Sequence, residues 1–157
     1  MAILNKLTLA FFLGTLLLGN AQAESLSAAA VGSLTKLEGG AFKPEKKKIL
    51  LYFWATWCPD CKEKIANVFP KWPLPADTQL VTVNTDKQID RAHHYVSKEK
   101  MPFTVVRDEA KSISSALKVF SVPFWAVVAQ DTKGAWNIVD SQAGGDIDKM
   151  KAALAKK

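Results

Sequence analysis

Ile49-Leu50-Leu51-Tyr52-Phe53-Trp54-Ala55-Thr56-Trp57-Cys58-Pro59-Asp60-Cys61-Lys62 carries the only two cysteines of the chain, two residues apart and directly after an apolar run. Ile49 to Trp54 is β-branched, aliphatic and aromatic without alternation, the pattern of a strand buried on both faces. From Lys62 to Phe69 the apolar Ile65, Ala66 and Phe69 recur at helical spacing, opposite Lys62, Glu63, Lys64 and Asn67. A helix therefore follows the strand. Pro59 falls at its first position, where a missing N–H is harmless and a fixed φ suits the turn. Cys58 is then expected at the N-cap, exposed, with Cys61 a turn inside and close enough to bridge. Free N–H groups and the positive helix end stabilise a thiolate, which makes Cys58 the expected nucleophile.

A structural disulfide, an inert thiol pair and half of a zinc site are the competing readings of that spacing. Zinc would need two further ligands, and apart from carboxylates the candidates are the adjacent His93 and His94, which lack the usual ligand spacing. Both histidines are expected as partly exposed residues of a helix. No metal or other cofactor is expected. With 157 residues the chain buries a core without disulfide staples, and a Cys-x-x-Cys pair closes almost no loop, so redox chemistry explains it better than stability.

The first 23 residues differ in kind. Lys6 precedes the apolar run Leu7 to Leu18, and Ala21-Gln22-Ala23 supplies a small-x-small site. This reads as a secretory signal peptide cleaved after Ala23. A permanent anchor is the alternative, disfavoured because the run is shorter than the roughly 20 residues of a spanning helix. The net charge of +6 is scattered. Lys46-Lys47-Lys48 reads as a solvated entry to the first core strand, and export argues against nucleic acid as a partner.

Residues 24–47 are expected as an N-terminal lead, mobile from Glu24 to Ala30, with a short edge strand at Leu34 to Leu37. Residues 48–157 are expected as the folded domain. Within it, Gln79–Asn84 reads as a second strand, Lys87 to Lys98 as a helix, Pro102–Val106 as a third strand and Lys111 to Val119 as a helix. Ser121–Ala129 and Ala135–Val139 flank the turn Asp131-Thr132-Lys133-Gly134, and Asp146 caps a last helix, Ile147 to Ala155. That order gives an α/β fold: a mixed central sheet whose first strands are joined by helical crossovers and whose last pair is a hairpin, with helices on both faces. The architecture is thioredoxin-like.

From Lys48 onward the sequence resembles the exported thioredoxin-like proteins of the TlpA/ResA type, which include cytochrome c maturation reductases. Phe53-Trp54-Ala55-Thr56-Trp57-Cys58-Pro59-Asp60-Cys61 is close to that family's F-W-A-x-W-C-x-x-C. Val83-Asn84-Thr85-Asp86 and Met101 to Asp108 are similar to its second and third strands, and Val122-Pro123 stands where the family has a cis-proline. The resemblance implies a periplasmic thiol–disulfide oxidoreductase, most simply a reductase of exported proteins, in which Cys58 attacks and Cys61 resolves. It also implies a membrane thiol transporter as electron donor and apocytochrome or other exported disulfides as substrates. A monomer is expected. A cis Val122–Pro123 bond would leave the backbone of Val122 free to pair with an extended substrate, and Trp57 would offer it a flat apolar surface. Trp54 is expected in the core.

Three positions depart from the pattern. Tyr52 stands where thioredoxins carry a buried acid, and Glu63 is expected to be too exposed to replace it. Pro59-Asp60 is the redox-tuning dipeptide, and the Asp60 carboxylate should disfavour the Cys58 thiolate. Phe124 follows the proline in place of a small residue. A disulfide oxidase or isomerase would use the same residues. A thiol peroxidase would need a P-x-x-x-T-x-x-C setting, whereas Thr56 lies two residues before Cys58. A metal chaperone on this fold would want a three-residue cysteine spacing and a distant histidine.

Overall fold

The computed structural model describes residues 25–156. The expected signal peptide lies outside them. The chain folds as β1 (Ser25–Leu26), α1 (Ala28–Gly32), β2 (Thr35–Lys36), β3 (Lys48–Trp54), α2 (Pro59–Glu63), β4 (Thr78–Asn84), α3 (Ile89–Glu99), β5 (Thr104–Arg107), α4 (Ser112–Ala116), β6 (Phe124–Gln130), β7 (Trp136–Ala143) and α5 (Ile147–Leu154). One seven-stranded mixed sheet runs β1-β7-β6-β3-β4-β5-β2. β3 lies at its centre, parallel to β4 and antiparallel to β6, with Trp54 opposite Asn84 and Phe53 opposite Phe124.

The apolar run of β3 feeds two cores because successive side chains point to opposite faces. Ile49, Leu51 and Phe53 enter the core that α1 and α4 cover. Leu50, Tyr52 and Trp54 enter the other, with Cys58, Cys61, Ile65, Phe69, Ala92 and Met150 from the helices of the opposite layer. Both faces are sealed, which is why β3 tolerates no alternation; each such side chain contributes about 1.5–3 kcal/mol on burial.

The stretch 25–47 is not a lead. β1 pairs antiparallel with β7 and β2 with β5, so this segment supplies both edge strands of the sheet. Leu26, Val31, Leu34, Leu37 and Phe42 are all buried. Short apolar residues among Ser, Ala and Gly carry no clean period, and their burial comes from long-range packing that local patterning does not encode. The short edge strand expected at 34–37 is real, although only Thr35 and Lys36 pair.

The helix after the cysteines is less regular than its spacing suggests. α2 gives way to a π-helical turn at Lys64–Val68 and then to a 3₁₀ turn at Phe69–Lys71. Cys61, Ile65 and Phe69 are buried while Ala66 is exposed. Three inward residues at steps of four would drift around an α-helix of 3.6 residues per turn; the wider π turn keeps them on one line. Pro70 then sits in the 3₁₀ turn, where its missing N–H is tolerated.

Other elements shift by a few residues. α4 is one short stretch, bracketed by left-handed Lys111 and Lys118, both at φ 54°. β5 is Thr104–Arg107 and β6 opens only at Phe124, after the prolines. β7 runs on to Ala143, because Asp140, Ser141 and Gln142 hold their places by backbone pairing with β6 without apolar alternation. α3 buries Ala92 and half-buries Tyr95 and Val96, leaving Ile89 and both His93 and His94 exposed.

Candidate active site

Cys58 is the N-cap of α2, with extended backbone at φ −95° and ψ 105°, and Pro59 opens the helix. The Cys61 N–H donates to Cys58 Sγ at 3.2 Å. The two sulfurs are joined, S–S 2.06 Å with Cα atoms 5.3 Å apart. A disulfide at a helix N-terminus is poised so that, once reduced, the outer sulfur faces unpaired backbone donors.

Cys58 is only 4% exposed, against the expectation of an open thiol. In the oxidised pair both sulfurs belong to the core cluster of Trp54 and Trp125, and half-buried Val122 packs against that cluster. The exposed surface at this point belongs to Trp57, 63% accessible, and to Pro59 and Asp60. Sequence reasoning treated the N-cap in isolation and so missed the cover from residues far along the chain.

Val122-Pro123 is a cis peptide. The Pro123 carbonyl accepts from Gly144 N–H at 2.7 Å. Among the described residues no backbone hydrogen bond engages Val122, so its N–H and C=O remain available at the site's edge. Two residues earlier, Phe120 is 90% exposed, the most exposed large apolar side chain among those described. Its neighbours Val119 and Ser121 give no periodic signal to mark it, and the sequence reading passed over it.

Tyr52 lies beneath the site, fully buried, with its ring edge-on to Phe69 at a centroid distance of 4.7 Å. Its hydroxyl has no hydrogen-bond partner among the described residues. Burial, with help from the Asp60 and Glu63 charges, pushes this phenol well above its ordinary value. It therefore stays protonated at any physiological pH and accepts no proton from Cys61. Glu63 is exposed and pairs with Lys64 at 2.7 Å.

A buried acid does exist nearby, at a position the sequence marked only as a strand end. Asp86, 3% exposed, accepts from Thr56 N–H at 2.9 Å, from Thr56 Oγ1 at 2.9 Å and from Asn84 Nδ2 at 2.8 Å. Arg107 donates to its backbone carbonyl at 3.1 Å. These bonds tie the end of β4 to the loop that delivers Trp57 and Cys58. The carboxylate is a structural clamp on Thr56, two residues before Cys58, with both oxygens already engaged.

A Cys-x-x-Cys disulfide at the N-terminus of α2, directly after the central strand of such a mixed sheet, with a cis-proline before β6, defines a thioredoxin-like thiol–disulfide oxidoreductase, with Cys58 and Cys61 as its redox pair. Residues 26–139 match the model of the AhpC/TSA family, and the chain belongs to that family. Sporulation thiol-disulfide oxidoreductase A of Bacillus subtilis (strain 168) is 29% identical over 114 residues, covering 67% of this chain and 69% of the relative. The structure of DsbF from MTB, in mixed oxidised and reduced forms, superposes with a TM-score of 0.60 at 25% identity, over 82% of this chain and 96% of that one. The crystal structure of StoA from Bacillus subtilis does so with a TM-score of 0.60 at 22% identity, over 81% of this chain and 99% of that one, a likeness of fold.

Proposed function

We propose that the protein is exported to the periplasm and there reduces disulfides of other exported proteins, with Cys58 as the attacking sulfur. The observation that carries this reading is the Cys58–Cys61 disulfide at the α2 N-terminus beside the unengaged backbone of Val122. In the reduced enzyme the Cys58 thiolate attacks one sulfur of a substrate disulfide. A mixed disulfide forms, and the first substrate sulfur leaves as a thiolate and takes a proton. Cys61 then loses its proton and attacks Cys58, which releases the second substrate sulfur and regenerates the Cys58–Cys61 bond. Two electrons and two protons pass to the substrate. A thiol donor, in this setting a membrane thiol transporter, must restore the dithiol.

Val122 pairs with the substrate backbone as a short added strand, Pro123 sets the groove, and Trp57 supplies an apolar wall. Asp60 favours the reductive direction: a carboxylate within the first turn of α2 destabilises the Cys58 thiolate and so makes the disulfide less oxidising. Haem-site cysteines of apocytochromes are one fitting substrate class, since their thiols must be reduced before haem attaches. The reduction potential against glutathione tests the direction. A value towards the reducing end of the range from about −270 to −120 mV supports it, and one near the oxidising end overturns it in favour of an oxidase or isomerase. A Cys61→Ser variant, which strands the mixed disulfide on Cys58, identifies the substrates.

A further inference from the structure

We propose that the hollow beside Trp57, flanked by Lys87 and Arg91, is a substrate subsite for a carboxylate side chain carried close to the disulfide being reduced. This rests on the reductive reading above and names the kind of segment that reading serves. The hollow measures about 360 Å³ and is bounded by Trp57, Thr85, Asp86, Lys87, Gln88 and Arg91. Trp57, which lines it, directly precedes Cys58, so a segment whose sulfur bonds Cys58 can place a neighbouring side chain there.

Charge decides the occupant. Lys87 and Arg91 are exposed, and among the described residues neither has an ion-pair partner. Asp86 is the one acid in the lining, and its two oxygens are taken by Thr56 and Asn84. Asp90, exposed on the same turn of α3 as Arg91, does not line the hollow, and the acids Asp108 and Glu109 lie with Arg107 and Lys111 around an adjoining hollow that Lys87 also borders. The lining therefore presents two cations without ion-pair partners among the described residues and one buried carboxylate whose oxygens already accept hydrogen bonds from Thr56 and Asn84. Trp57 gives the floor an apolar side on which the methylenes of a glutamate lie, with its carboxylate reaching the cations at the rim. Rim charges of this kind act on encounter and on selection between substrates, and they fade with salt.

The test uses two peptides with one intramolecular disulfide each, identical except for glutamate or glutamine beside the cysteines. Their reduction by the reduced, full-length protein is followed as kcat/KM. The expected ratio favours the glutamate peptide by about fivefold at low ionic strength and shrinks towards one at high salt. In the double variant Lys87→Gln/Arg91→Gln the ratio falls to about one at every ionic strength. A wild-type ratio of one with both peptides turned over, or a preference that survives in the double variant, overturns the subsite alone. Failure to reduce either peptide overturns the reductive reading and the subsite with it.

Discussion

Replacing Tyr52 by phenylalanine should stabilise this protein. The hydroxyl is fully buried and bonded to no other group among the described residues, and a buried hydroxyl without a partner carries a penalty of about 1–3 kcal/mol. Phenylalanine keeps the ring and its edge-on contact with Phe69 at 4.7 Å, and leaves only a hydroxyl-sized gap. Allowing for that gap, the expected gain is about 1 kcal/mol, or about 2–4 °C in Tm for a chain of this size. Urea unfolding of the oxidised protein at neutral pH measures it. The pH dependence gives an independent check. In the folded state the phenol is held above its ordinary value of 10.0, so unfolding releases a proton once the pH passes that value. The wild type should then lose stability relative to Tyr52→Phe as pH rises above 10.0, by up to about 1.4 kcal/mol per pH unit. A Tyr52→Phe protein that is less stable by 1 kcal/mol or more, or that shows the same alkaline slope as the wild type, would refute the reasoning: the hydroxyl would then be satisfied by a buried water, or not buried at all.

Asp86→Ala should destabilise the fold by about 3 kcal/mol, since it strands the Thr56 and Asn84 donors in a buried site, and denaturant melts will read the loss. The same substitution should raise the crystallographic or NMR mobility of the Trp57–Cys58 loop. Asp60→Asn removes the carboxylate in the first turn of α2 and should lower the thiol pKa of the reduced protein, seen in the ultraviolet absorbance of the thiolate, and shift the reduction potential upward. Phe120→Ser should leave the melting curve within about 0.5 kcal/mol of wild type, because the ring is 90% exposed, while raising KM for protein disulfides. Leu26→Ala should cost about 2–4 kcal/mol despite its place near the start of the chain, because the side chain is buried against β7.

The centre of the fold was legible because β3 is buried on both faces and its sequence is saturated with apolar residues. The site was legible because Pro59 at a helix start and two cysteines at redox spacing are local signals with few other uses. What escaped was whatever depended on partners distant in sequence. Nothing around Cys58 reveals that its side chain is buried in a cluster with Trp125, or that Val122, sixty-odd residues on, packs against that cluster. Asp86 reads as a strand end because two of its three donors come from Thr56, thirty residues earlier in the chain. Ala66 seemed to belong to the inward face of α2 because the spacing was read at 3.6 residues per turn, and the π-helical turn at Lys64–Val68 changes that period.

The pairing of β1 with β7 sets an order of events for the chain. Cys58 and Cys61 are near neighbours and can join in a segment that has barely begun to fold. Leu26 meets Trp136 only when almost the whole polypeptide has emerged, and until then one edge of the sheet lacks its closing strand. A molecule trimmed through Leu26 would thus hold a complete redox centre inside an unclosed sheet. Chemical competence and conformational completion are separable here, and protease resistance of the 25–36 segment reports the second without regard to the first.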